Sequence, residues 1–378
     1  MVQIVSGDVP DTIFVSRSPG ETRAVLSAGD EVLEIVHRRD ADVQPSAIYL
    51  GRIGARVPGV DAVFVDIGTT QPGILKMKPP FPAEGAAQAV VVGVPPRADK
   101  GCVLKVEPNA VWSSSIKAPK LLQAASDPVR IWWDRYGVAI KRICCQTRAE
   151  ATRLASVLGE GAPVETALVS ENLFAEHGIE DAIEFSLNPV VPLPSGGSVI
   201  IESTAAVTAI DINSGATDPS TANREAIELI AKELRRRNIA GHIVIDVIPG
   251  KGRGALPRIL SKAMAADPVP SQVAGYTPLG MIELTRQRTG LSLSESLLGV
   301  TGSLSTKSLG LKILRDSVRA VVTTQIARVV LEVAPDVHAV LLGDLSPALA
   351  EARELIKDDI ALSARADFPR ARFEVRSA

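Results

Sequence analysis

Aromatic residues make up only 3% of this 378-residue chain and cysteines number three, Cys102, Cys144 and Cys145. No two cysteines form a Cys-x-x-Cys pair, which excludes a disulfide framework and a cysteine-rich zinc site and points to a reducing, cytoplasmic setting. Excess charge of one sign is also missing. Lys plus Arg number 41 against 43 Asp plus Glu, so any surface for a polyanion must be local. No apolar run reaches the roughly 18 residues of a membrane span, and residues 1–16 have neither a basic start nor an apolar h-region. A soluble protein with no membrane partner is expected. What is present is aliphatic: 46% of residues are hydrophobic, so the cores must be built from Ala, Val, Ile and Leu. At about 150 residues per domain the length asks for two or three domains. There is no internal repeat, and the Pro-rich stretch near residue 80 is the one biased segment.

Residues 3–36 alternate strand-like pieces with turns, a half-domain whose partner strands must come from elsewhere in the chain. Short β-rich segments follow at 47–53, 63–68, 73–75, 89–94 and 101–106, cut by Gly and Pro as in a small barrel. Beyond Trp112 the pattern turns α/β, with 129–133 read as an apolar strand and 148–158 as a helix, so the barrel interrupts another domain. Residues 198–201 and 206–212 read as a hairpin. Ile227, Ile230, Ala231 and Leu234 repeat at helical spacing within 223–237, whose other face carries Arg235, Arg236 and Arg237. That charged face is read as solvated rather than as an RNA path. Residues 243–247 form a near-continuous apolar strand, making a βαβ unit the default. Further on, 257–266 and 309–333 read as helices and 281–284 as a strand. The tail carries a helix over 346–359 and a strand over 371–375.

The strongest chemical signal is Ala209-Ile210-Asp211-Ile212-Asn213, an acid and an amide two residues apart on a strand and therefore on one face. Asp246 ends the later apolar strand, and a crossover helix brings it beside the first. Two carboxylates on adjacent strand ends repel unless a cation lies between them, and hard oxygen donors with open positions suit Mg²⁺. On the residues alone the alternative stays open that Asp211 and Asn213 cap a turn and that Asp246 caps a loop.

Four ordered motifs then carry a resemblance: Leu193-Pro194-Ser195-Gly196-Gly197-Ser198, Thr208-Ala209-Ile210-Asp211-Ile212-Asn213-Ser214, Gly241-His242-Ile243-Val244-Ile245-Asp246 and Gly280-Met281-Ile282-Glu283-Leu284-Thr285-Arg286-Gln287-Arg288. Together they resemble the catalytic core of the bacterial ribonuclease E/G family, and the chain is similar to a compact, ribonuclease G-like member. Ile48-Tyr49-Leu50-Gly51-Arg52-Ile53 and Ala62-Val63-Phe64-Val65-Asp66-Ile67-Gly68 resemble the opening of that family's S1 domain. The resemblance implies an α/β (α+β) architecture. An RNase H-like subdomain (1–46 and 113–200) holds an inserted S1, OB-type barrel (47–112). A DNase I-like catalytic subdomain (201–298) and a small C-terminal α/β domain (299–378) follow. It implies Mg²⁺-dependent hydrolysis of single-stranded RNA, with Mn²⁺ as a substitute. Asp211 and Asp246 would be the metal acids, and Asn213 would position the scissile phosphate or the attacking water. Phe64 would stack on a base and Lys100 would meet a phosphate; plain core packing for Phe64 and ordinary solvation for Lys100 are the competing readings.

The chain also departs from the family pattern. A second stacking aromatic is expected at Ile74, a basic pair after Asp267 is replaced by Pro268-Val269-Pro270, and Pro249 stands where a further acid is usual. Only a short stretch separates the barrel from Val129, and residues 297–308 carry no cysteine. The expectation is therefore an enzyme without the 5′-monophosphate sensor or the zinc link, indifferent to the RNA 5′ end. The rival is a catalytically degenerate paralogue that binds RNA without cutting it. The apolar side chains from Leu309 to Leu331 suggest a homodimer contact.

Overall fold

The computed structural model describes residues 9–97, 100–168, 172–324, 329–357 and 360–377. Expectations touching residues 3–8, 325–328 and 358–359 lie outside this set. The first strands, β1 (Thr12–Ser18), β2 (Glu21–Ala28) and β3 (Glu31–Arg39), form an antiparallel meander.

A barrel follows, from β4 (Ile48–Arg56), β5 (Ala62–Asp66), β6 (Gly73–Lys76), β7 (Ala87–Val94), β8 (Val103–Val106) and β9 (Lys120–Gln123). Strands β5, β6, β8, β7 and β4 pair in that order, and β4 pairs back to β5, closing a five-stranded ring with β9 added beside β4. Closure leaves those five strands no open edge to protect. Ile53, Val63, Val65, Leu75, Val90, Val92 and Leu104 fill the inside.

The chain continues through α1 (Pro128–Tyr136), β10 (Arg142–Cys145), α2 (Arg148–Leu158), β11 (Val164–Thr166), α3 (Leu173–Glu176) and α4 (Ile179–Phe185). Residues 129–133, read as a strand, are helical instead. Pro128 sits at the first helical position, and the Asp127 carboxylate accepts from the Val129 N–H at 2.9 Å, a start signal stronger than the apolar run. Strand β10 joins β1 in parallel and β11 joins β10, giving a sheet ordered β11-β10-β1-β2-β3. Its strands come from both sides of the barrel segment.

Next come β12 (Val190–Pro192), β13 (Ser198–Ser203), β14 (Thr208–Asn213), α5 (Pro219–Arg236), β15 (Gly241–Asp246), α6 (Leu256–Met264), β16 (Ser271–Tyr276) and β17 (Ile282–Arg286). They form one sheet ordered β12-β13-β14-β15-β17-β16, with β13 and β14 the expected hairpin and β14-α5-β15 a crossover between parallel neighbours. Helix α5 starts sharply because the Asp218 carboxylate accepts from the Thr221 N–H and Pro219 occupies the first turn. It lays Ala226, Ile227, Ile230 and Leu234 on Ile210, Ile212, Ile243 and Ile245.

After α7 (Leu293–Leu297), the last segment holds α8 (Thr306–Thr324), β18 (Val329–Val333), α9 (Pro335–Leu342), α10 (Ser346–Ile356), β19 (Ile360–Ala364) and β20 (Phe373–Ser377). Residues 309–333 are thus not one helix: Val329–Val333 is the central strand of a β19-β18-β20 sheet, as its β-branched run favours. Leu309, Leu311, Ile313, Leu314, Val321 and Leu331 are buried in this segment's own core, so the apolar face suggested as a homodimer contact is already spent. By contacts the chain forms two compact units, one of residues 43–131 and 183–293, the other of 10–42, 132–182 and 294–378. Among the described residues no helix is long and apolar enough to cross a membrane.

Candidate active site

Strands β14 and β15 are parallel neighbours, and in their register Asp211 lies directly opposite Asp246. Period-two alternation sends Ile210, Ile212, Ile243 and Ile245 under α5, and Asp211, Asn213 and Asp246 to the open side, where all three are exposed. Adjacent strands lie about 4.8 Å apart, so the two carboxylates share one small volume. Like charges so placed repel and favour a cation between them. Asn213 Nδ2 donates to Asp211 Oδ2 at 3.0 Å, fixing the carboxylate's direction from the same strand.

Two further acids share this face and were missed in the sequence. Glu202 on β13 pairs with Ala209, and Glu283 on β17 pairs with Val244, each one step diagonal from Asp211 or Asp246. Strict alternation in Ile282-Glu283-Leu284 was the available signal. Among the described residues no three His, Cys, Asp or Glu side chains converge on one point. The donor set is two facing carboxylates beside an amide. That fits Mg²⁺, which takes one or two carboxylates and keeps several waters, better than a metal needing a protein cage.

The glycine-rich motif explains how Asn213 is held. Gly197 lies so close to the Asn213 carbonyl that any side chain there would overlap it, and Ser198 pairs with Asn213 at the end of the hairpin. Gly215, at φ +58°, sits where an added Cβ would lie 2.7 Å from the Gly196 carbonyl oxygen. Thr217 Oγ1 donates to the Ser195 carbonyl at 2.5 Å, and Glu225 accepts from the Ser195 N–H at 3.1 Å. The turns 193–198 and 213–217 are thereby locked together beside the acid pair.

Other motif residues prove architectural. Arg286 is 3% exposed and clamps Asp267 with Nε and Nη2 at 2.6 and 3.2 Å, while Nη1 reaches Asn238 Oδ1 and the Ile239 carbonyl. The arginine cluster at the end of α5 corrects the sequence reading. Arg235 and Arg237 are buried, Arg236 and Arg237 both pair with Glu233 at 2.6 Å, and Arg237 also donates to the Asn188 carbonyl. It is neither a solvated face nor an RNA track.

On the barrel, Val63 and Val65 point inward, so Phe64 between them faces out and is half-buried rather than a core residue. It pairs with Ile74, and Ile74 pairs with Val103, giving an outward row of three apolar side chains. Lys76 and Lys105, each two residues along its strand, are exposed on the same side; sequence reading overlooked both, although the period of two marks them. Lys100 is exposed in the turn before β8, where Gly101 packs against Pro72, two residues before Ile74. The structure thus groups Phe64 with Ile74 and brings the Lys100 turn beside β6, on a different element from the acid pair.

Residues 107–289 match the Ribonuclease E/G family. Similar proteins include ribonuclease E of Nostoc sp., 37% identical over 206 residues (48% of this chain, 30% of that protein). Ribonuclease G of Salmonella typhimurium is 31% identical over 221 residues (54% and 45%). Ribonuclease E of Escherichia coli is 40% identical over 161 residues (38% and 15%). The chain spans less than half the length of each of these relatives. Over residues 107–289 the chain is therefore similar to the ribonuclease E/G family.

Proposed function

We propose that this chain is a Mg²⁺-dependent endoribonuclease that hydrolyses single-stranded RNA. The observation that carries the reading is the register of Asp211 against Asp246, with Asn213 on the same open face, inside the region that matches the family. A divalent cation held by Asp211 and Asp246 would supply positive charge at the scissile phosphate and lower the pKa of an attacking water. Asn213 keeps the Asp211 carboxylate oriented and offers its amide to the phosphate or to the water. Asp246 holds the opposite side of the site. No residue need act as a covalent nucleophile, because an in-line attack depends on charge placed in advance of the transition state.

The barrel holds the strand. Phe64 stacks on a base, with Ile74 and Val103 extending the apolar row, and Lys100, Lys76 and Lys105 meet the backbone phosphates. With Ile74 in place of a second aromatic, the grip is weaker than two stacking rings would give. The β11-β10-β1-β2-β3 sheet is assigned to the RNase H-like subdomain, residues 201–298 to the catalytic subdomain and 299–378 to the C-terminal one. Cleavage is further proposed to ignore the 5′ end.

The test is cleavage of a short single-stranded, AU-rich RNA carrying either a 5′-monophosphate or a 5′-hydroxyl, in Mg²⁺ or in EDTA. Turnover in Mg²⁺ alone and at similar rates for both ends is expected. A large preference for the monophosphate overturns the indifference to the 5′ end. Binding without turnover by the folded protein overturns the enzyme reading and leaves the RNA-binding paralogue.

A further inference from the structure

Past Asp246 the sheet ends, and the chain must cross Val247 and Ile248 before Pro249, which has no N–H to give. Two groups need partners there, the N–H and the C=O of Ile248. One side chain satisfies both. Asn223 Nδ2 donates to the Ile248 carbonyl at 2.8 Å, and Asn223 Oδ1 accepts from the Ile248 N–H at 3.0 Å. Asn223 lies in the second turn of α5, is 2% exposed, and belongs to the helix packed beneath both acid-bearing strands. A side-chain amide here reproduces the two-bond pairing of a sheet neighbour at the point where the sheet has run out of strands.

The position of that clamp relative to Asp246 gives it a consequence for the site. β15 is held by β14 and β17 up to Ile245 and Asp246, and β17 pairs no further than Ile245 against Ile282. Asp246 is therefore the last residue in register, with paired backbone before it and the Asn223 clamp two residues after it. Its partner Asp211 needs no such device, since β14 is paired on both sides there and Asn213 bonds its carboxylate directly. An asparagine in a helix interior is a poor helix former, and this one is buried. Its two bonds to the Asp246 arm are what the position uses.

We propose that Asn223 is a positioning residue for Asp246. By fixing residue 248 it sets the direction from which the Asp246 carboxylate reaches toward Asp211, and so the affinity of the pair for a divalent cation. This inference rests on the proposed nuclease reading. Aspartate at 223 keeps the acceptor for the Ile248 N–H but loses the donor to the carbonyl; alanine loses both.

The experiment compares wild type, Asn223→Asp, Asn223→Ala and Asp246→Asn. Each is measured for thermal midpoint, Mn²⁺ binding by electron paramagnetic resonance, and kcat and KM for the single-stranded RNA at a series of Mg²⁺ concentrations. Expected is a graded weakening of Mn²⁺ binding, several-fold for Asn223→Asp and tenfold or more for Asn223→Ala. The Mg²⁺ half-saturation should rise in parallel and KM for RNA should stay within twofold. Folded Asn223 variants with wild-type Mn²⁺ binding and Mg²⁺ dependence overturn the positioning role while leaving the nuclease reading intact. If Asn223→Ala fails to fold, Asn223→Asp alone decides by the same measures. A wild type with no Mn²⁺ site sensitive to Asp246→Asn overturns the nuclease reading, and this inference with it.

Discussion

Two sets of acids in this molecule are treated in opposite ways. In the unit of residues 43–131 and 183–293, Asp211 and Asp246 stand exposed, face each other in register and have one amide between them for company. In the unit of residues 10–42, 132–182 and 294–378, Glu21 is 2% exposed and fully engaged, with the His37 imidazole Nδ1 at 3.2 Å and the cations Arg315 at 3.1 Å and Arg39 at 3.7 Å. Arg23 is buried nearby, pairing with Glu180 at 2.9 Å and lying over the Phe174 ring. Burial raises a carboxylate's cost of ionising, yet the Glu21 carboxyl is held far below its usual range, because the hydrogen bond with His37 and the charges of Arg315 and Arg23 outweigh that cost. A buried acid with its counter-charges in place is structural. An exposed pair of like charges without them is available to a ligand.

Removing an acid should therefore have opposite consequences in the two regions. The largest effect on folding is expected for Glu21→Gln, which leaves buried arginines without their counter-charge and should cost about 3–5 kcal/mol of stability in urea unfolding. Asp246→Asn should change stability by no more than about 0.5 kcal/mol. Comparable losses from both variants would break the distinction.

Acid should sharpen the same contrast. Burial above all holds the pKa of His37 below the usual 6.5, with Arg23 and Arg315 acting in the same direction against Glu21. The folded state thus keeps His37 neutral while the unfolded chain takes up a proton, so its contribution is complete above about pH 6.5 and is lost as the pH falls below that. Glu21 follows, its contribution complete above the usual 4.5 and lost further into acid. The thermal midpoint of the unit containing them should fall between pH 7.5 and 4, and His37→Gln should remove the first part of that fall.

On the barrel, Phe64→Ala should weaken single-stranded RNA binding by about 1–3 kcal/mol, the range for one stacked base, measured in EDTA by fluorescence anisotropy. An unchanged affinity would return Phe64 to a packing role. The smallest signal is chemical. Burial pushes the Cys144 and Cys145 thiols up to about 12 and Cys102 up to about 11. All three should resist alkylation at pH 8 in the folded protein. Cys102 lies in one unit and the other pair in the second, so the order of labelling in rising urea reports which unit opens first.

What the sequence disclosed and what it hid divide along the reach of local pattern. Barrel segments, the 198–213 hairpin and the β14-α5-β15 crossover follow from period-two and helical spacing, and so does the common face of Asp211 and Asn213. Spacing failed at 129–133 and 329–333, where short apolar runs fit helix or strand equally, and caps or β-branched content decided. It failed at Arg235–Arg237 because a charged run carries no mark of Glu233 and the Asn188 carbonyl waiting to bury it. The clamp from Asn223 to residue 248 was out of reach for the same reason, since its meaning lies in what the crossover brings alongside it.

The central claim is that the exposed acids work as a pair on RNA. It is tested most directly by measuring Mg²⁺-dependent cleavage of single-stranded RNA by wild type, Asp211→Asn and Asp246→Asn, with thermal midpoints recorded on the same samples. The account predicts losses of at least about a hundredfold for each variant, the scale of removing one electrostatic contact to a transition state, with midpoints unchanged. Full cleavage by either folded variant would contradict it.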